Sequence, residues 1–512
     1  MNANPPLQVL PWDEFNQKLV QNAHPPDWVN PRPSGRPYNL VVIGGGTAGM
    51  VPAAGAALLG ARVALIERHL MGGDCLNFGC VPSKALISAA RAAYGVRRAQ
   101  EFGIKAQIRE ISFSDTMRRL RRVRADIAPH DSAQRFHDFG ADIYLGEARF
   151  ISDRSIEVAG ERLQFSKAII ASGARAAIPA IEGLERAGFL TNETVFSLTE
   201  LPRRLIVIGG GPIGCELAQT FARLGSHVTV IEKHSRLLPR DDEDAAAILQ
   251  EQFESEGISL ILGATIHHAE RSADARAVFV HNNLGEQRIE TDEILVANGR
   301  TPNIEALNLA AAGVESNNKG VIVDERLQTS NPRIYSAGDI SSRFQFTHAA
   351  EALGRIALQN ALFYGRKRTT DLVIPWCTYT DPEVAHVGLT MKEAVERGPA
   401  VETFTLPLEE IDRAVVDGET RGYVRVHSRK KNGVILGATM VSRHAGESIG
   451  ELVLAIQRGL KVRDLAEIIH PYPTQAESIK RLGDLAVMAR FRPPLFKPWM
   501  RNLLAKFFAW RR

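Results

Sequence analysis

Short apolar runs rich in branched residues punctuate much of the chain, and Ala168–Ala171, Ile294–Ala297 and Ile334–Ala337 each run into a Gly-containing turn. Such runs predict strands, and an α/β fold is expected to about residue 370. From Val373 the pattern changes. Tyr423–Val426 and Val434–Met440 predict antiparallel strands around a turn at Lys431–Gly433, and amphipathic helices are expected over Ile449–Arg458 and Arg463–Ile469. That is a further domain, of α+β type. Ahead of all this, residues 1–37 hold eight prolines and predict an extended arm with one helix near Trp12–Val20. The ordered domain is expected to begin at Tyr38.

The most informative pattern is a repeat. Val41–Glu67 reads VVIGGGTAGMVPAAGAALLGARVALIE and Ile206–Glu232 reads IVIGGGPIGCELAQTFARLGSHVTVIE, without a gap, at an offset of 165 residues. Gly44, Gly46 and Gly49 fall on Gly209, Gly211 and Gly214, and Glu67 falls on Glu232. Each copy is an apolar run, Gly-x-Gly-x-x-Gly, a small-residue helix, a second apolar run and an acid. This is the βαβ dinucleotide fingerprint. The first glycine permits a tight turn, the second lets backbone N–H groups approach a pyrophosphate, and the third lets helix and strand pack closely. The helix presents its positive end to the phosphates, and the acid accepts from the adenosine ribose. One such motif is weak evidence, but two complete copies in register are strong evidence. Pro52 predicts a local kink in the first of the two helices.

At 512 residues several domains are expected. A net charge of +4 gives no reason to invoke nucleic acid. Four cysteines are too few for a secreted disulfide scaffold of this size, and no signal peptide or membrane-length apolar stretch is evident. The expected location is the cytoplasm. Locally the charge is uneven. Arginines crowd into Met117–Ala125, where they are expected to form the polar face of a helix. The segment Arg490–Arg512 mixes seven basic residues with six aromatic ones and no acid. It is expected to pack or stay solvated, with contact to an anionic membrane surface as the alternative.

Cys75 and Cys80 stand in GGDCLNFGCVPSK, Gly72–Lys84. Their spacing fits no zinc knuckle, and no structural metal site is expected. Five residues of regular helix rise about 7.5 Å, too far for a relaxed disulfide. Gly79 beside Cys80 offers the needed distortion. Two buried free thiols are the alternative.

This segment, with Ala171-Ser172-Gly173, Gly299-Arg300-Thr301-Pro302-Asn303 and Ala337-Gly338-Asp339, resembles the pyridine nucleotide–disulfide oxidoreductases. That is the family of glutathione reductase, dihydrolipoyl dehydrogenase and mercuric reductase. The resemblance runs from Tyr38 to about Arg490. It implies two Rossmann-like dinucleotide-binding domains, for FAD and NAD(P), and a C-terminal α+β dimerisation domain. The implied division is an arm (1–37), a first FAD segment (38–187), an NAD(P) domain (188–304), a second FAD segment (305–371), a dimerisation domain (372–488) and a tail (489–512). The resemblance also implies roles. Cys80 is the flavin-proximal thiolate and Cys75 the interchange thiol, the pair forming the redox disulfide. Lys84 lies near flavin N5 and pairs with Glu216. FAD is held by Gly44, Gly46, Gly49, Glu67, Gly173, Gly338 and Asp339. The nicotinamide cofactor is held by Gly209, Gly211, Gly214, Glu232 and Gly299, with NADH favoured over NADPH because Glu232 repels a 2′-phosphate. Lys233, His234 and Arg236 could weaken that preference. A homodimer is implied, with Tyr472 and Glu477 reaching the partner's cysteines.

The chain departs from the family in two places. Disulfide-reducing members carry His-Pro-Thr-x-x-Glu, whereas here the sequence is Tyr472-Pro473-Thr474-Gln475-Ala476-Glu477. Tyrosine there resembles mercuric reductase, with Cys75 and Cys80 as ligands of substrate Hg(II). Yet mercuric reductases resemble one another in a C-terminal cysteine pair, and no cysteine follows Cys377. A mercuric reductase-like enzyme is therefore the leading expectation. A dihydrolipoyl dehydrogenase or glutathione reductase-like enzyme, with His470 standing in as the base, comes second. A redox-sensing flavoprotein of low turnover comes third.

Overall fold

The computed structural model describes residues 7, 9–272, 275–283, 285–490 and 498–511. They form two compact units, Met1–Ser235 with Glu256–Leu372, and Arg236–Ser255 with Val373–Arg512.

In the first unit each fingerprint copy builds a parallel sheet. β1 (Tyr38–Ile43) lies between β2 (Val63–Glu67) and β6 (Glu161–Ile170). Val41, Val42 and Ile43 sit opposite Ala64, Leu65 and Ile66 on one side and Ala168, Ile169 and Ile170 on the other. All nine are buried, because both faces of the sheet carry apolar clusters. β3 (Ala141–Leu145) extends the sheet beyond β2, and β4 (Ala148–Ser152) and β5 (Ser155–Val158) form the opposite edge. β6 is long enough to pair with β5 over its first half and with the strand Ile334–Ser336 over its second. The second copy repeats the arrangement in a four-stranded parallel sheet of Ser259–Leu262, His227–Glu232, Arg204–Ile208 and Glu293–Val296.

The described residues of the arm are packed. Its helix α1 (Glu14–Ala23) starts later than the expected Trp12 because Asp13 caps it, accepting from the Asn16 N–H at 3.0 Å. Trp28 donates to the Ile143 carbonyl at 3.1 Å. α1 also corrects the reading of the arginine run. On the helix Phe113–Ile127, Arg118, Arg119 and Arg122 are exposed as a polar face requires, but Arg121 and Arg124 are buried, because α1 covers them. Arg121 bonds Asp13 and Arg124 bonds Asn16, each at 2.5 Å. The helix α2 (Thr47–Leu58) runs through Pro52. The helix Thr347–Leu362 packs on it at Gly354, where an added Cβ would lie 2.7 Å from the Ala48 carbonyl oxygen and 3.2 Å from Pro52 Cδ.

In the second unit a five-stranded antiparallel sheet runs in the order Pro375–Thr378, Glu383–Gly388, Ile435–Ser442, Tyr423–Arg429, Val401–Pro407. Its core is closed by the helices Ala445–Gln457 and Glu477–Ala489. The helix expected over Arg463–Ile469 is instead a 3-10 turn, Val462–Glu467. Val462 and Leu465, three apart, both point into the core, which suits three residues per turn. Arg236–Ser255 belongs to this unit through a buried polar cluster. Asp242 accepts from the Thr439 hydroxyl (2.8 Å) and the Met391 N–H (2.7 Å) and faces Arg425, while Asp241 accepts from Trp376 Nε1 (2.7 Å). The tail forms the helix Pro498–Trp510, and residues 491–497 lie outside the described residues. Among the described residues no helix is long and apolar enough to cross a membrane.

Candidate active site

The two glycine turns have the same geometry for the same reason. Gly44 and Gly209 have φ of +109° and +113°, and a Cβ would meet the Ala171 carbonyl oxygen at 2.2 Å and that of Ala297 at 2.6 Å. On Gly49 or Gly214 a Cβ would fall 1.9 Å from the carbonyl oxygen of Gly44 or Gly209. Gly46 and Gly211 are the N-caps of α2 and of the helix Pro212–Leu224, and neither helix has a side-chain cap. The first-turn N–H groups are thus available to an anion. Glu67 accepts from the Gly45 N–H (2.6 Å) and the His69 N–H (2.7 Å), and burial pushes its pKa up. Glu232 accepts from the Gly210 N–H (2.6 Å) and the His234 N–H (2.8 Å), and its Oε1 meets His234 Nδ1 at 2.5 Å. Each acid therefore braces its own glycine turn. Both oxygens of Glu67, and Oε2 of Glu232, retain a lone pair for a ribose hydroxyl.

Gly173, Gly299 and Gly338 all take positive φ. Gly338 rests on α2, where a Cβ would lie 2.8 Å from Ala48 Cβ. The pKa of Asp339 is pushed up to about 6 by burial, against the pull of Arg300. Arg300 ties three segments together. It reaches Asp74 at 3.1 Å and Asp339 at 3.4 Å, and donates to the Ala174 carbonyl at 2.7 Å. The Cβ-free turn, the uncapped start of α2 and the half-buried Asp339 beside it fit a dinucleotide such as FAD. The second turn, with Glu232, fits a nicotinamide dinucleotide.

The redox segment is broken where Gly79 stands. Cys75 lies in the short helix α3 (Gly73–Asn77), and Cys80 opens α4 (Cys80–Arg98). Gly79 joins them at φ −127° and ψ −111°, where a Cβ would lie 3.0 Å from the Asp74 carbonyl oxygen. Both thiols are free. Cys80 has its pKa lowered to about 6, first by the hydrogen bond from Cys75, then by the Thr347 hydroxyl and the charge of Lys84. The pKa of Cys75 is pushed up by the same bond and by burial. The Thr347 hydroxyl lies 3.3 Å from Cys80 Sγ, and towards a thiolate it can only donate. Lys84 Nζ lies 2.6 Å from Glu216 Oε2. Behind the segment, Arg124 donates to the Asn77 carbonyl (2.7 Å), and Asn77 donates to the carbonyls of Met71 (3.0 Å) and Gly73 (2.8 Å). Thr347 and the bracing roles of Arg300, Asp74 and Arg124 were not read from the sequence, because each acts on a segment distant along the chain.

In the second unit Tyr472 is 70% exposed and donates to Asp412 at 2.8 Å. That carboxylate raises the phenol's pKa further. Glu477 opens the helix Glu477–Ala489. The His470 ring is buried and bonds Glu451 at 2.9 Å. Among the described residues no group of three His, Cys, Asp or Glu side chains is placed to hold a metal ion.

Two dinucleotide cradles and a Cys-x4-Cys pair at the head of a helix define a flavin-dependent, thiol-based oxidoreductase. The family model "Pyridine nucleotide-disulphide oxidoreductase" matches residues 38–354, and that of the family's dimerisation domain matches residues 374–482. The chain belongs to this family. It is 37% identical over 444 residues to a mercuric reductase of Lysinibacillus sphaericus, covering 86% of this chain and 81% of that one. It is 35% identical to a dihydrolipoyl dehydrogenase of Thermus scotoductus, covering 87% and 97%. Among solved structures it is similar to the HOCl-induced flavoprotein disulfide reductase RclA from Escherichia coli, with TM-score 0.79, 30% identity and 88% and 100% coverage.

Proposed function

We propose that the protein oxidises NADH and passes the two electrons through Cys75 and Cys80 to a soft, thiol-binding metal ion, with Hg(II) as the substrate of first choice. The balance is NADH and Hg(II) to NAD⁺, a proton and Hg(0). FAD, when bound, supplies the two-electron relay between nicotinamide and dithiol. In the Cys75–Cys80 disulfide, Cys80 would be the sulfur that takes the electron pair as the S–S bond breaks, because its thiolate product is stabilised by Cys75, Thr347 and Lys84. Cys75 is the end that meets substrate. Lys84, oriented by Glu216, places positive charge where a reduced carrier would be negative. Two thiolates bind a soft cation well, and its reduction needs no proton donor.

Tyr472 carries this reading. A departing thiolate from a disulfide substrate needs an acid of near-neutral pKa, and a phenol raised by Asp412 is the wrong group. The relative named a mercuric reductase and a Cu(II) complex of RclA, 30% identical to this chain, support the choice of a metal. NADH is favoured because Glu232 holds the ribose position. His234 is engaged with it, and Arg236 is spent on the carbonyls of Leu238, Pro239 and Asp241. A homodimer follows from the dimerisation domain, with Tyr472 serving the partner's cysteines.

The second reading is reduction of a small disulfide, with the His470–Glu451 pair as acid and base. NADH oxidation with thiol-complexed Hg(II), oxidised glutathione, lipoamide and a quinone, measured side by side, separates the two. Hg(II) turnover that exceeds both disulfides and disappears in Cys75→Ser supports the metal. Fast disulfide turnover that is lost in His470→Ala overturns it.

A further inference from the structure

The helix Pro498–Trp510 carries an apolar face that no described residue covers. Trp499, Leu503, Phe508 and Trp510 are 59%, 62%, 61% and 81% exposed. At 3.6 residues per turn, Trp499, Leu503, Leu504, Phe507, Phe508 and Trp510 fall within about half of the circumference. The other half holds Asn502, Ala505 and Ala509, with Arg501 and Lys506 at its two borders. Cations at the borders can lay their aliphatic stems along the apolar face and hold their charges at its rim. From Leu485 to Arg512 the sequence has seven basic residues and no Asp or Glu.

We infer that this helix docks the protein on an anionic lipid surface, lying in the plane of the headgroups with its aromatic face towards the acyl chains. Thirteen residues are about 20 Å of helix, too short to span a bilayer. Tryptophans near both ends of the apolar face suit the lipid–water boundary. The unopposed positive charge selects the partner: a neutral membrane would leave it unmatched, whereas anionic headgroups neutralise Arg501 and Lys506 on the helix and the five basic residues that flank it in the sequence. The inference is independent of which electron acceptor the protein uses.

Flotation of the FAD-loaded full-length protein with vesicles tests it. Vesicles of phosphatidylcholine with phosphatidylglycerol should carry at least about tenfold more protein than phosphatidylcholine alone. Binding should collapse at about 1 M salt, where the screening length is near 3 Å. The double variant Leu503→Glu, Phe507→Glu should lose the binding while keeping its NADH–dye turnover and its sedimentation mass. Three results would overturn the inference: no binding to anionic vesicles, equal binding by the double variant, or a drop in the variant's mass without lipid. The last would mean that a second copy of the chain covers this face.

Discussion

Replacing Thr347 by valine removes one hydroxyl and keeps the shape, and the effect should fall on Cys80, 267 positions away in sequence. The hydroxyl lies 3.3 Å from Sγ and is one of three groups that lower the Cys80 pKa to about 6, behind the Cys75 thiol and ahead of the Lys84 charge. At that length and with Cys80 exposed, its loss should cost about one pKa unit, below the upper range of charge-assisted bonds. An upward shift of about one unit divides the ratio of thiolate to thiol by about ten at any given pH. The assay is a pH titration of the long-wavelength thiolate-to-flavin band. It is best made in the FAD-loaded Cys75→Ser protein, where serine still offers a donor and no disulfide can form. The sign is fixed, since the band must grow as pH rises through the Cys80 pKa. Adding Thr347→Val should move the midpoint up, and Cys75→Ala should move it further than Cys75→Ser does. Coincident titrations with and without Thr347→Val would refute the role assigned to the hydroxyl. A midpoint near 8.5 in Cys75→Ser would refute the whole account of Cys80.

Three further outcomes are expected. The kcat/KM for NADH should exceed that for NADPH by about tenfold, near 1.4 kcal/mol, and equal values would mean that Lys233 or His234 reads a 2′-phosphate. Tyr472→His should raise turnover of oxidised glutathione or lipoamide while Tyr472→Phe leaves it nearly unchanged, and no gain with histidine would show that the position is not set against the interchange thiol. Arg124→Ala leaves the Asn16 and Asn77 oxygens without their donor, so urea denaturation should show a loss of about 2–4 kcal/mol. A change under about 0.5 kcal/mol would mean that the arm does not brace the redox segment.

What could be read from the sequence was what short-range geometry dictates. Gly44, Gly49, Gly209 and Gly214 stand where backbone oxygens leave no room for a Cβ, and this is a local constraint that recurs at fixed spacing. The break between Cys75 and Cys80 was likewise signalled by Gly79 next door. The Lys84–Glu216 pair spans 132 positions, and only the family resemblance pointed to it. Thr347 gave no signal, since one threonine at a helix start is like many others. The arginines of Phe113–Ile127 have the spacing of a polar helix face, and that periodicity cannot say that α1 will lie on it. The segment Val462–Glu467 has an apolar spacing of three that serves an α-helix or a 3-10 turn equally well, and its short length decided between them.

The residence of Arg236–Ser255 in the second unit has a consequence for recombination. That stretch lies in the chain between two neighbouring strands of the second parallel sheet, His227–Glu232 and Ser259–Leu262, yet its Asp241 and Asp242 are buried among Trp376, Thr439 and Arg425. A chimaera that exchanged only residues beyond Val373 with a relative would strand two buried carboxylates against foreign side chains. The unit can be inherited or grafted intact only as two pieces of chain, so complementary changes at Asp242 and Arg425 are expected to travel together.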